Sequence, residues 1–201
     1  MSLTHVFFDI GGVLGTNGWD REQRAKALEK FSLDDEDFEH RHHQVVSEFE
    51  TGAMSLDEYL DVTVFYTPRL FSREDFELYM LSLSEPNAYT IEVAKHVAAA
   101  GRVRVMTMNN ESSVLNSYRI ERFGLRPIFA AFLSSCWMGV RKPSRAFFER
   151  GLGIAQADAD ASLLIDDREQ NLAPSAALGM HTVHYRTPEL LARELAQYGV
   201  L

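Results

Sequence analysis

Short apolar runs alternate with longer segments of helical pattern along most of the chain, and this alternation constrains the fold more than any other feature. Apolar runs without strict polar alternation are typical of strands buried on both faces of a sheet. Five such runs are predicted strands, at 4–9, 102–108, 129–133, 161–166 and 181–185. The alternation predicts an α/β fold, a Rossmann-like doubly wound parallel sheet.

Segments of helical pattern follow the predicted strands. They are predicted helices at 90–101, 111–124, 143–153, 168–178 and 187–199. Thr90 is a candidate N-cap, Gly101 a candidate C-cap, and Pro143 a candidate first helical residue. These candidate helix ends support the expected alternation of strands and helices.

Residues 16–88 interrupt the alternation, since they are polar, helical in pattern and without a strong strand. We therefore expect two domains. Residues 1–15 and 89–201 would form the Rossmann-like core, and residues 16–88 would form a helical cap inserted after the first strand.

The composition limits which binding partners and which cellular location are expected for this chain. The net charge of −9 argues against nucleic acid and anionic membranes, which require basic surfaces. No apolar run approaches the roughly 20 residues of a membrane span, and the sequence shows no export signal. A single cysteine, Cys136, excludes an intrachain disulfide and favours a buried structural role in a reducing, cytoplasmic setting. The expected partner is a small molecule, and the oligomeric state does not follow from the sequence.

Polar residues follow four of the predicted strands. Asp9 ends the first, Asn109 and Asn110 follow the second, Lys142 comes after the third, and the pair at 166–167 (Asp-Asp) ends the fourth. Ligands of open α/β sheets bind outside the carboxyl ends of the strands. We therefore expect these side chains to meet in one crevice.

The adjacent carboxylates Asp166 and Asp167 indicate a cation, because two carboxylates at one strand end repel each other without one. Hard oxygen ligands suit Mg²⁺. Taken singly, each residue also has a simpler role. The pair could be an acidic loop, Lys142 a solvated lysine and Asn109 a turn or cap residue.

Four motifs together resemble those of the haloacid dehalogenase (HAD) superfamily of hydrolases. They are DIGGVL at 9–14, MNN at 108–110, GVRKP at 139–143 and LLIDDREQN at 163–171. The resemblance covers the whole chain, and the insertion is similar to the helical C1 cap of that superfamily. Motif I is similar to that of a sugar-phosphate phosphatase branch in which glycine replaces an aspartate.

The resemblance implies a chemistry for these residues. Asp9 would attack phosphorus and form an aspartyl-phosphate, and Lys142 would offset the negative charge around it. Mg²⁺ would be bound by Asp9, the carbonyl oxygen of Gly11, and the pair Asp166–Asp167. Such phosphoryl transfer depends mainly on positioning and electrostatic stabilisation.

The resemblance also implies a phosphate site. Asn109, Asn110 and the backbone at Gly11 and Gly12 would hold phosphate oxygens, with glycine permitting the close approach of backbone to metal and phosphate. Asn171 is a candidate for orienting the acidic loop.

Two positions depart from the family pattern. The usual second aspartate of motif I, the general acid and base of the reaction, is Gly11 here. The usual Ser or Thr of motif II is Met108, and the adjacent Thr107 should point to the opposite face of its strand. Asp20 is a candidate acid/base by position alone, with helix capping as its simpler role.

Three functions remain open. The first is a Mg²⁺-dependent phosphatase acting on a small phosphomonoester, with sugar phosphates as the first guess. The second is a metal-independent dehalogenase-like hydrolase, and the third is a catalytically weak pseudo-phosphatase that binds a phosphorylated ligand. The acidic pair, and the lack of the aromatic residue usual after a dehalogenase nucleophile, argue against the second.

Other residues have simpler interpretations. The histidines of EHRHHQ at 39–44 are predicted to lie on a solvated cap helix rather than in a metal site. Asn17, Trp19 and Glu50 are candidates to face substrate, and Trp19 could equally pack at the hinge.

Overall fold

A single parallel sheet of five strands organises the computed structural model, which describes residues 2–201. Its strands are β1 His5–Phe8, β2 Arg104–Asn109, β3 Phe132–Ser134, β4 Ser162–Asp166 and β5 His181–His184. Their order is β3-β2-β1-β4-β5, and every neighbouring pair is parallel. The predicted α/β fold with a parallel sheet is confirmed.

Helices connect the strands and fill the insertion. They are α1 Arg21–Lys30, α2 Asp35–Glu50, α3 Leu56–Thr63, α4 Arg73–Ser82, α5 Ala88–Ala100, α6 Ser113–Arg122, α7 Ser135–Met138, α8 Arg145–Ala155, α9 Glu169–Ala176 and α10 Pro188–Gln197. A 3₁₀ turn at Ala159–Ala161 precedes β4.

The sheet is covered on both faces, which explains its continuous apolar strands. On one face Val6 and Phe8 pack with apolar residues of α5 and α10. On the other face Phe7 packs with α8 and α9. All residues of β1 are buried, so the central strand holds its carboxyl end, where Asp9 follows, in a fixed place.

The structure corrects several predicted boundaries. The third strand begins at Phe132, not at residue 129, because its ladder with β2 starts opposite Thr107. Thr90 is not an N-cap. It lies inside α5, whose cap is Asn87, with the Asn87 side chain accepting from the Thr90 backbone N–H. Pro143 follows a cis peptide bond and precedes α8, so it is not the first helical residue.

Residues 16–88 form α1 to α4 and contribute no strand to the sheet. These helices share their own apolar cluster, which also takes in Leu115 of α6. The division into a core of 1–15 and 89–201 and a cap of 16–88 stays a prediction, and residue 1 lies outside the described residues. Within residues 2–201, no helix combines the length and apolar character needed to cross a membrane.

A buried polar contact holds the inserted helices together. Tyr59 Oη accepts from Trp19 Nε1 at 2.8 Å and lies 2.7 Å from His42 Nδ1. Trp19 therefore packs inside this cluster, which agrees with the packing role predicted for it. His40 and His43 are exposed as predicted, but His42 is buried, and burial lowers its pKa to about 3.

Candidate active site

Asp9 lies directly after the central strand. Its backbone N–H donates to the carbonyl oxygen of Ile165 on β4 at 2.9 Å. One carboxylate oxygen, Oδ1, accepts from the Ile10 N–H at 2.8 Å, and the other, Oδ2, lies 3.0 Å from Lys142 Nζ. The carboxylate is therefore fixed at the carboxyl edge of the sheet, beside a cation.

Lys142 is buried, and its ammonium group has three oxygen partners. Besides Asp9, Nζ contacts Asp166 Oδ2 at 2.6 Å and the carbonyl oxygen of Met108 at 2.9 Å. An ammonium group carries three N–H donors, so these partners account for all of them. Asn110 Oδ1 accepts from the backbone N–H of Lys142 at 2.8 Å, and Asn110 Nδ2 donates to the Lys142 carbonyl oxygen at 2.9 Å. These two bonds hold the Lys142 backbone in place.

Asp166 and Asp167 have different surroundings. Asp166 accepts from Asn171 Nδ2 at 3.0 and 3.2 Å and from the backbone N–H of Arg168 at 2.9 Å. Asn171 thus makes the orienting contact predicted for it. Asp167 Oδ1 is buried and has no hydrogen-bond partner within the described residues.

The three aspartates fit a hard divalent cation. Carboxylate oxygens of Asp9, Asp166 and Asp167 all lie within 4.8 Å of one another. A buried carboxylate oxygen without a partner is costly, and a metal ion would supply the partner that Asp167 Oδ1 lacks. Carboxylates at this spacing suit Mg²⁺, which binds through one or two of them together with water and phosphate.

The charges at the cluster shift one another's protonation. Burial raises the pKa of Asp9 to about 7, although Lys142 acts in the opposite direction. Burial alone would lower the pKa of Lys142, but Asp9 and Asp166 raise it above its ordinary value. When all three carboxyl groups are ionised, they and the ammonium group carry two net negative charges, which one divalent cation would balance.

Gly11 and Gly12, which follow Asp9 and Ile10, differ in backbone conformation and in the space available for a Cβ. Gly12 has φ +74°, and a Cβ there would lie 2.2 Å from Asp167 Oδ2. Gly11 has no such restriction, since a Cβ there would meet only ordinary contacts at 3.5 Å or more, with Asn17 and Gly18. Close approach to Asp167 therefore explains the glycine at position 12. The approach of the Gly11 backbone to metal and phosphate stays a prediction.

A cavity of about 70 Å³ opens beside Asp9, and Gly11, Asn110 and Lys142 line it. Asn109 is not among its lining residues. The Asn109 amide instead bonds to Asn116 Oδ1 at 3.0 Å and accepts from Ser134 Oγ at 2.9 Å. The side chain of Asn109 thus contacts α6 and β3 rather than the cavity, and its phosphate-binding role stays a prediction.

The cavity also has a charged rim that the sequence analysis largely missed. Arg141 and Arg168 line it, directly before Lys142 and directly after Asp167, and Glu50 lines it from the end of α2. The signal for the two arginines was their place inside the motifs at 139–143 and 163–171. Asn17 lines the cavity as well, whereas Asp20 caps α1 by accepting from the Gln23 N–H and lines a separate cavity.

Solved structures share this arrangement of sheet and helices, although no family model matches the chain. A HAD-family enzyme from Bacteroides thetaiotaomicron, in complex with magnesium and inorganic phosphate, superposes with a TM-score of 0.79, covering 92% of this chain and 95% of that one at 20% identity. The chain has the HAD-like fold. The resemblance inferred from the four motifs is therefore confirmed at the level of the fold.

Other proteins with the HAD-like fold carry different names. A predicted HAD-like family hydrolase from Porphyromonas gingivalis has a TM-score of 0.75, covering 98% of this chain and 99% of that one at 19% identity. An L-2-haloacid dehalogenase has a TM-score of 0.63, covering 90% of this chain and 83% of that one at 14% identity. In sequence, the bifunctional epoxide hydrolase 2 of Sus scrofa is 24% identical over 213 residues, which cover 97% of this chain. The chain spans 38% of the length of that relative. A fold shared this widely does not by itself assign the reaction.

Proposed function

We propose that this chain is a Mg²⁺-dependent HAD-like phosphatase that hydrolyses a small phosphomonoester through an aspartyl-phosphate on Asp9. The observation that carries the proposal is the cluster in which Lys142 contacts both Asp9 and Asp166, with Asp167 completing a three-carboxylate site. The magnesium and inorganic phosphate bound to the Bacteroides enzyme support it.

Asp9 would act as the nucleophile. One of its oxygens is held by the Ile10 N–H, and the carboxylate lines the cavity where a phosphoryl group would lie. Attack by a carboxylate oxygen forms the P–O bond of the aspartyl-phosphate as the bond from phosphorus to the leaving oxygen breaks, and that oxygen leaves as the alcohol after taking a proton. Water then hydrolyses this acyl phosphate to aspartate and inorganic phosphate. Lys142 holds the Asp9 carboxylate in place and offsets its charge when the phosphate approaches.

The metal site would use Asp9, Asp166, Asp167 and the carbonyl oxygen of Gly11. When bound, Mg²⁺ supplies electrostatic stabilisation of the phosphate oxygens. The Asn171 side chain orients the Asp166 carboxylate, and the Asn110 side chain holds the Lys142 backbone in place beside the cavity.

The cavity limits what can bind beside Asp9. It has a volume of about 70 Å³, and Asp9, Gly11 and Lys142 line it. This space suits a phosphoryl group, and the remainder of the substrate would lie at the rim formed by Arg141, Arg168 and Glu50. We infer a small phosphorylated metabolite, of which a sugar phosphate is one example. The helices of 16–88 would act as the cap, and the cytoplasmic location stays a prediction.

Phosphate release from a panel of small phosphomonoesters, with and without Mg²⁺, tests the proposal. The expected result is Mg²⁺-dependent release that Asp9→Asn abolishes. The same panel should include 2-haloacids, because a dehalogenase shares the fold. Metal-independent halide release would replace the phosphatase with a dehalogenase, and Mg²⁺ binding without turnover of any substrate would favour a ligand-binding role.

A further inference from the structure

The proposed reaction lacks a proton donor at its usual place, because position 11 is glycine. An alkoxide leaving group needs a proton as its bond to phosphorus breaks, and general acid catalysis is typically worth about 10²- to 10⁴-fold. Of the described residues that line the cavity, two carry a carboxyl group, Asp9 and Glu50. Asp9 is the nucleophile, which leaves Glu50.

Glu50 is held in the cavity by contacts on both sides. It is the last residue of α2, and its carbonyl oxygen accepts from Ser135 Oγ at 2.6 Å. Its Oε2 lies 3.1 Å from Arg141 NH1. These contacts fix the end of an inserted helix against the core and direct its carboxyl group toward the space beside Asp9.

The carboxyl group of Glu50 is available for proton transfer. Its Oε2 is buried, and its ion pair with Arg141 is the one polar contact found for this oxygen among the described residues. Burial raises its pKa above the ordinary glutamate value, although Arg141, Arg168, Arg24 and Lys142 act in the opposite direction. A raised carboxyl pKa brings the group closer to the neutral pH at which a general acid must carry its proton.

Two other acidic residues near the site are less well placed. Asp20 accepts the Gln23 N–H as the cap of α1 and lines a different cavity. Glu111 is buried, 3.5 Å from Arg119, and is not among the residues described as lining the cavity.

We propose that Glu50 is the catalytic proton donor and acceptor that takes the place of the carboxyl group missing at position 11. This inference rests on the proposed phosphatase function. In the first step an Asp9 oxygen forms a bond to phosphorus, the bond from phosphorus to the leaving oxygen breaks, and that oxygen takes the proton of Glu50. In the second step water attacks phosphorus and gives a proton to Glu50, and the bond to Asp9 breaks, which releases phosphate.

The leaving group distinguishes this role from a purely structural one. Glu50→Gln keeps the size of the side chain but removes its titratable proton. For an alkyl phosphomonoester, kcat/KM should fall by about 10²- to 10⁴-fold. For p-nitrophenyl phosphate, whose leaving group needs no proton, kcat/KM should fall by less than about tenfold, since this parameter reports phosphoryl transfer to Asp9. Acid-quenched Glu50→Gln should also accumulate phosphoenzyme, because water attack lacks its base.

Two variants serve as controls. Glu48→Gln changes an exposed glutamate on the same helix and should leave both substrates unaffected. Arg141→Gln removes the ion pair of Glu50 but keeps its carboxyl group. If Glu50 only anchors the inserted helices, Arg141→Gln and Glu50→Gln should lower activity alike and by the same factor on both substrates.

The wild-type protein gives a second test that needs no folded variant. The kcat/KM of the alkyl ester should fall at high pH as the acid loses its proton, and that of p-nitrophenyl phosphate should not show this limb. Superimposable pH profiles, or equal losses on both substrates in Glu50→Gln, would overturn the assignment of Glu50 and leave the phosphatase intact. Wild-type protein inactive on every phosphomonoester would instead contradict the proposed function.

Discussion

Substitution of Gly12 by alanine tests how tightly the backbone after Asp9 is packed against the metal site. A Cβ at Gly12 would lie 2.2 Å from Asp167 Oδ2, whereas ordinary van der Waals contact begins at 3.4 Å. The Asp167 carboxylate therefore has to move by more than 1 Å. We expect Gly12→Ala to lower both stability and Mg²⁺ affinity.

Gly12→Ala is expected to lose free energy of unfolding through backbone strain and Mg²⁺ binding free energy through displacement of Asp167. The left-handed backbone at φ +74° costs a residue with a Cβ about 1–2 kcal/mol. Displacement of Asp167 adds to this and weakens the metal site, and each tenfold loss of Mg²⁺ affinity removes about 1.4 kcal/mol of binding free energy. In the wild type, Mg²⁺ at one hundred times its Kd should add about 2.7 kcal/mol to the free energy of unfolding.

Two other alanine variants separate the cost of backbone strain from the effect on the metal site. Gly124 has φ +64° with nothing within 4 Å of a new Cβ, so Gly124→Ala should show the backbone cost and keep the full Mg²⁺ effect. Gly11 has ordinary contacts and no positive φ, so Gly11→Ala should leave stability unchanged or raise it by up to about 1 kcal/mol.

Urea unfolding with and without Mg²⁺, together with calorimetric Mg²⁺ titration, measures both quantities. Gly12→Ala should lose more free energy of unfolding than Gly124→Ala and bind Mg²⁺ at least tenfold more weakly than the wild type. Equal stability losses with unchanged Mg²⁺ affinity would show that the position of Asp167 does not depend on a glycine at position 12.

Three further predictions concern buried polar groups. Lys142→Met leaves two buried carboxylates without their cation and should cost about 3–5 kcal/mol, measured by urea unfolding without Mg²⁺. Tyr59→Phe removes the shared partner of Trp19 Nε1 and His42 Nδ1 and should cost about 1–3 kcal/mol in the same assay. Because the pKa of His42 is about 3 in the folded chain against 6.5 ordinarily, the unfolded state takes up the proton first. Stability should therefore fall by up to about 1.4 kcal/mol per pH unit as the pH falls from 6.5 towards 3, and His42→Phe should reduce that slope.

The core of the site was predictable because strand order alone places it. Asp9 and Asp166 end neighbouring strands of a parallel sheet, and the carboxyl ends of such strands share one edge. Lys142 follows β3 and reaches both carboxylates. The order of apolar runs and of the polar residues that follow them therefore predicts that these three side chains meet, without knowledge of side-chain packing.

Features that depend on packing between distant segments were not predictable. Asn109 ends β2 as expected, but its side chain faces Asn116 of α6, and the face of a strand end depends on register rather than on local pattern. The polar neighbours of His42 suggest a solvated helix, yet Tyr59 of α3 buries it. The approach of Glu50 to Arg141 comes from the docking of the inserted helices on the core, and no local motif encodes it.

Phosphate release by the wild type and by Asp9→Asn, each with and without Mg²⁺, tests whether Asp9 is the nucleophile of a Mg²⁺-dependent phosphatase. The account predicts that the wild type releases phosphate from a small phosphomonoester only with Mg²⁺, and that Asp9→Asn, although folded, releases none. Mg²⁺-dependent release that persists in Asp9→Asn would contradict the account, because the nucleophile would then lie elsewhere.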